Sequence, residues 1–284
     1  VLMRVTLIKD TAYISSFPNM KKDHKDCMYY GDSSNHQYRK GINQDGDDII
    51  MNLQTNFFRK KEKKDNIEIT PPLNNRSINR NKNSIIQNKI GFRSLVENFN
   101  LICWEFFINK RKRLPVSLEE FFKYSLGRSN SFYLNKKQTV KLSDFFYSYV
   151  KEKQYLTKEE HRLFIYGICI NEPQRDKFRE DYYVMEILLP YLKSKVKDNF
   201  PKKYVYCHEA KFNNLFINIK DQGAGIKLIA GTVKKLGNSV EFEDIEGLKV
   251  SELGLYGESS YERNLFNMLS DQDRLFYKPY KDID

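Results

Sequence analysis

The sequence predicts an α+β protein. A helical bundle is expected over residues 92–200, an α/β unit over 201–284 and a disordered basic extension over 1–91. Three observations carry this reading. Apolar residues recur at helical spacing from Phe92 onward. After Pro201 the pattern changes to strand alternation with frequent glycines. Before Phe92 the chain is dominated by Asn, Lys and Arg and keeps neither period for long.

The bulk numbers agree with a folded part and a solvated part. Of 284 residues, 40% are apolar and 30% charged, and the mean hydropathy is −0.66. The net charge of +11 is compatible with nucleic acid, an acidic membrane surface or acidic proteins, and selects none of them. No apolar run approaches a membrane span. Cys27, Cys103, Cys169 and Cys207 are far apart, with no C-x-x-C pair and no histidine cluster. That pattern argues against a structural zinc site and against a disulfide framework.

The elements follow in order. "GFRSLVENFNLICWEFFINKRKR" places Phe92, Leu95, Val96, Phe99, Ile102, Cys103, Phe106 and Phe107 on one helical face. Arg111–Arg113 suit the dipole at its end. In "PVSLEEFFKYSLG", Ser117 and Glu120 form a capping box, Leu118, Phe121, Phe122 and Leu126 form the apolar face, and Gly127 is the expected stop. Further helices are expected over Thr139–Gln154, from a Thr157/Glu160 cap through Leu163–Cys169, and over Asp181–Val196 with a kink at Pro190. "KKYVYC" and "FINIK" alternate at strand period. The second of these strands would end at Asp221, followed by Gly223 and Gly225, which permit a sharp turn and close approach of a ligand.

"INIKDQGAGI" resembles the first glycine box of the ATPase superfamily of histidine kinases, gyrases and Hsp90. "LPVSLEEFFKYSLG" and "DQDRLFYKPY" resemble, in the same order, segments of the mitochondrial kinases of pyruvate and branched-chain 2-oxoacid dehydrogenases. The resemblance covers about a fifth of the chain. It implies a helical bundle followed by an incomplete histidine-kinase-like ATPase α/β sandwich. It also implies ATP and Mg as cofactors, transfer of the γ-phosphoryl group to a serine of a 2-oxoacid dehydrogenase, and a location in the mitochondrial matrix. The lipoyl domain of the acyltransferase is the implied second partner, and a homodimer is compatible with it. By the same resemblance Asp221 binds the adenine amino group, and Gly223, Gly225 and Ile226 shape its pocket. Glu209 in "HEAKFNN" acts as general base, and Asn213, one turn on, holds Mg²⁺.

The chain departs from the family pattern. Asp221 follows Asn213 by eight residues, a long insertion precedes "DRLF", and no G-x-G-x-G box follows, so low ATP affinity is expected. Two other readings stand beside the kinase. One is a non-catalytic relative or fragment whose helical bundle binds a protein partner. The other is a nucleic-acid-binding protein using its Lys/Arg-rich extension. Core packing is the expected use of the 20 Phe and 19 Tyr residues. His161 is expected at the bundle surface, and His208 beside the supposed base.

Overall fold

A computed structural model describes residues 3–8, 11–16, 42–53, 90–135, 137–156, 161–169, 171–193, 200–220 and 226–278. For 3–8, 11–16, 214 and 216–220 the description is of the backbone alone. Two hairpins open the chain: β1 (Met3–Ile8) with β2 (Thr11–Ser16), and β3 (Ile42–Asp45) with β4 (Asp48–Met51). A helical layer follows, made of α1 (Phe92–Arg111), α2 (Leu118–Arg128), the short strand β5 (Phe132–Tyr133) and α3 (Tyr149–Tyr155). Next come β6 (Leu163–Cys169), β7 (Gln174–Arg175), β8 (Tyr182–Leu188) and β9 (Lys202–His208). The remaining elements are α4 (Glu209–Lys220), β10 (Ile226–Leu236), β11 (Ser239–Val250), α5 (Ser260–Asp271) and β12 (Leu275–Phe276).

Five of these strands close on themselves. Around the ring the order is β6-β10-β11-β9-β8, and β8 pairs back onto β6 through Ile168↔Leu188 and Cys169↔Ile187. All neighbours are antiparallel except β9 and β11. A three-stranded meander, a helix and a hairpin, closed with the third strand parallel to the fifth, is the connectivity of the OB-fold.

Closure depends on two glycines. β6 stays paired with β10 along its length and takes up β8 on its other edge just past Gly167, where a Cβ would lie 2.3 Å from the Leu188 carbonyl oxygen and 2.6 Å from Ile187 Cγ2. At Gly231 in β10 a Cβ would lie 2.4 Å from the Phe242 ring. One step on, the register shifts between Thr232 and Val233. The residue left over on β11, Glu243, forms an ion pair with the buried Arg162.

β6 is buried on both faces. Its outer side meets the helical layer, with Tyr166 edge-on to Phe99 at 5.2 Å and packed on Phe122 at 4.9 Å. Asn100, fully buried in α1, ties the layer to the barrel. Its Nδ2 donates to the Tyr166 hydroxyl and the Gly254 carbonyl, both at 2.9 Å, and its Oδ1 accepts from the Tyr256 N–H at 2.8 Å. Trp104 donates to the Phe276 carbonyl and packs between Phe121 and Phe276. No helix of the described residues is long and apolar enough to cross a membrane.

Several expectations are corrected. α1 and α2 form where the periodicity places them, and Ser117 Oγ accepts from the Glu120 N–H. Glu120 reaches back to the Val116 N–H and Arg113, so only half of the capping box is present. Gly127 is not a stop, because α2 runs on to Arg128 and into a 3-10 turn.

The bundle with an ATPase sandwich is overturned by the barrel, which takes strands from both sides of residue 200. Leu163–Cys169 and, within Asp181–Val196, Tyr182–Leu188 are strands, not helices. Each is a seven-residue run rich in β-branched and aromatic residues, too short for periodicity to separate the two states. "FINIK" goes the other way and closes α4, so a helix leads to Asp221. The extension carries four strands, and Ile42, Ile49 and Met51 of the second hairpin are core residues. Residues 17–41, 54–89 and 157–160 lie outside the described residues.

Candidate functional site

The outer face of the barrel wall formed by β8 and β9 carries half-buried and exposed side chains. On β9, Val205 and Cys207 point inward and are buried, so Lys202, Tyr204, Tyr206 and His208 point outward. The antiparallel register sets Tyr182 opposite His208, Val184 opposite Tyr206 and Glu186 opposite Tyr204 on the same face. Three tyrosines and a histidine therefore line one surface. Tyr204 is 56% exposed, and Tyr182 meets His208 edge-on at 5.3 Å and Tyr206 at 6.3 Å.

Two loop tips border this surface at the Tyr182 end. The turn from β7 to β8 is organised by Asp176, whose carboxylate accepts from the N–H groups of Phe178 (2.9 Å) and Arg179 (2.7 Å). This ordering presents Phe178 at 94% exposure. Arg179 folds back over the Tyr206 ring at 4.9 Å, and its Nη1 is buried with no hydrogen-bond partner among the described residues. The β10–β11 turn, with Gly237 at φ +59°, comes alongside: a Cβ on Gly237 would lie 3.9 Å from Arg179 Nη2.

Charge on the wall is mostly balanced. Lys202 pairs with Glu186 at 2.6 Å, Lys234 with Glu241 at 2.8 Å, Lys203 with Glu152 at 2.6 Å, and Arg175 with Glu209. The hydrogen bond from Lys202 holds the Glu186 carboxyl below its ordinary value. Burial, and then a hydrogen bond to Glu241, raise the Tyr182 phenol, so it stays neutral at physiological pH. Lys177, Arg179 and Lys235 have no ion-pair partner among the described residues. The surface can thus offer ring faces for stacking, with a few cations at the loop end.

Of the site residues expected from the sequence, Glu209, Asn213 and Ile226 are among those described. Glu209 opens α4, with its carboxylate held by Arg175. Asn213 is exposed on the same helix, and His208 caps it by accepting the Ala210 N–H at Nδ1. Ile226 begins β10 and lines an apolar cleft of about 320 Å³ with Cys169, Leu188 and Phe200. Asp221, Gly223 and Gly225 lie outside the described residues. Among the described residues no three His, Cys, Asp or Glu side chains group as metal ligands.

The aromatic wall was missed because "DYYVMEILL" reads as a helix. The alternation of "KKYVYC" held the signal, since its two tyrosines must share a face with neither buried partner. Compared with known proteins, the chain matches no family model, no curated protein and no solved structure.

Proposed function

We propose that this chain binds single-stranded nucleic acid across the outer face of β8 and β9. The observation that carries the reading is the row of Tyr182, His208, Tyr206 and Tyr204 on the outer face of the barrel wall, ended by Phe178 and Arg179. The OB-fold alone selects no ligand. It does carry ligands on its second and third strands and between its first and last hairpin loops, which here are this wall and these loops. Stacking on exposed rings suits unpaired bases, whereas a duplex hides its base faces. Arg179, half-buried and without an ion-pair partner among the described residues, places a cation at the loop end for a phosphate, which favours an anionic polymer over a neutral glycan. The sequence adds charge elsewhere: residues 54–89 hold nine basic and three acidic side chains.

The test is fluorescence anisotropy with labelled oligo-dT and oligo-U of about a dozen nucleotides. Tyr204→Ala and Tyr206→Ala should each weaken binding by about 5- to 100-fold, the cost of losing one base–ring stack. A duplex of the same length should bind more weakly than either single strand. Absence of binding at low salt, or unchanged affinity in the double variant with folding intact, would overturn the reading. The dehydrogenase-kinase reading retains its sequence likeness and gains no structural support; loss of Mg-ATP thermal stabilisation in Asp221→Asn is what it requires.

A further inference from the structure

The aromatic row does not stop at the end of the barrel. Tyr149 is the first residue of α3, and its hydroxyl donates to the carbonyl of Lys202, the first residue of β9, at 2.8 Å. That bond crosses 53 residues of sequence and sets the Tyr149 hydroxyl at the start of β9, two residues before Tyr204. A second contact fixes its tilt: Tyr147 lies edge-on at 5.8 Å. Tyr147 is itself fully buried, hydrogen-bonded to Glu152 and capped by the Lys203 ammonium, which reaches on to the same carboxylate. Tyr149 is thus held at its hydroxyl and along one edge, yet 43% of it is exposed. Packing alone does not account for a ring pinned by a buried neighbour and left open to solvent. A ring with few rotamers to lose is what a stacking surface needs.

We infer that Tyr149 is the far anchor of the nucleic-acid path, extending it from the barrel onto α3. The inference rests on the single-strand reading above. The path runs from Phe178 and Arg179 past Tyr206 and Tyr204 to Tyr149, and so belongs to the helical layer as well as the barrel. The span from His208 to Lys202 is about 20 Å at the usual strand rise. That length holds about six nucleotides at the stacked spacing of roughly 3.4 Å, and fewer in a drawn-out strand.

The experiment is a length series of oligo-dT from about three to twelve nucleotides, titrated against the full chain and its variants. In the unaltered chain, affinity should rise with length and level off near six. Tyr149→Ala should weaken the twelve-nucleotide ligand by about 5- to 100-fold and move the plateau to a shorter length. Tyr149→Phe keeps the ring but loses the tie to Lys202, and should fall between the two. Tyr261→Ala, which removes an exposed tyrosine at the start of α5, should change nothing. If Tyr204→Ala weakens binding while Tyr149→Ala leaves both affinity and plateau unchanged, the extension onto α3 is wrong and the barrel reading stands. If no oligonucleotide binds the unaltered chain, both are wrong.

Discussion

Asn100 shows how much one polar side chain can decide in an apolar interior. It serves two acceptors and one donor from two separate segments, so Asn100→Ala leaves the Tyr256 N–H and the Gly254 carbonyl buried and unpaired. A loss of about 2–4 kcal/mol is expected, measured as a shift of the urea midpoint. Nothing in "ENFNLICWE" distinguishes this asparagine from Asn98, because its partners lie 66 to 156 residues away. Glu243 carries a pH-dependent contribution. Burial pushes its carboxyl up, the hydrogen bond and charge of Arg162 more than offset this, and the net value lies below that of an ordinary glutamate. A depressed acid stabilises the fold above its unfolded value and loses that contribution as pH falls through its folded value. Glu243→Gln should therefore be less stable than the unaltered chain at neutral pH. The gap should close as pH drops below about 4; a gap independent of pH would exclude the ion pair as its source.

At the scale of elements, the legible parts were the long ones. α1 spans five turns, and its apolar stripe and terminal cations agree, so sequence and structure coincide. β6 and β8 are seven residues each, and β6 is buried on both faces, which removes the alternation that would mark it as a strand. α4 was misread because only its last turn was judged, apart from the "HEAKFNN" that begins it. Gly167 was not singled out either, since its role exists only where the end of β8 closes onto β6. Gly167→Ala should be among the most damaging single methyl additions in the chain, because the obstructing atom is the Leu188 backbone oxygen. Loss of a cooperative melt at 25 °C, or a fall of several degrees in Tm, is the expected result. The paired cations of the β8–β9 wall make a further prediction. With Lys177, Arg179 and Lys235 as the unpaired ones, wall binding should show a log-affinity against log-salt slope of only about −2. A much steeper slope that flattens when Arg59, Lys60, Lys61, Lys63 and Lys64 are changed to Gln would assign the electrostatics to the basic segment.

For the molecule as a whole, β6 is a wall shared by the helical layer and the barrel, so the two should not unfold separately. Far- and near-ultraviolet dichroism should follow one transition, and a break of the chain at residue 200 should leave neither half folded, because the barrel needs strands from both. This is also why the division into a bundle and a following α/β unit did not survive: composition changes near residue 200, but strand pairing ignores the change. Trp104 has a practical consequence. It is the chain's single tryptophan, enclosed by Phe121 and Phe276 with its N–H satisfied, and none of its neighbours belongs to the β8–β9 wall. Its emission is a built-in gauge of whether the helical layer is intact. Ligand occupancy should instead appear as quenching of tyrosine fluorescence with the tryptophan band unmoved, so one spectrum separates binding from unfolding without any attached dye.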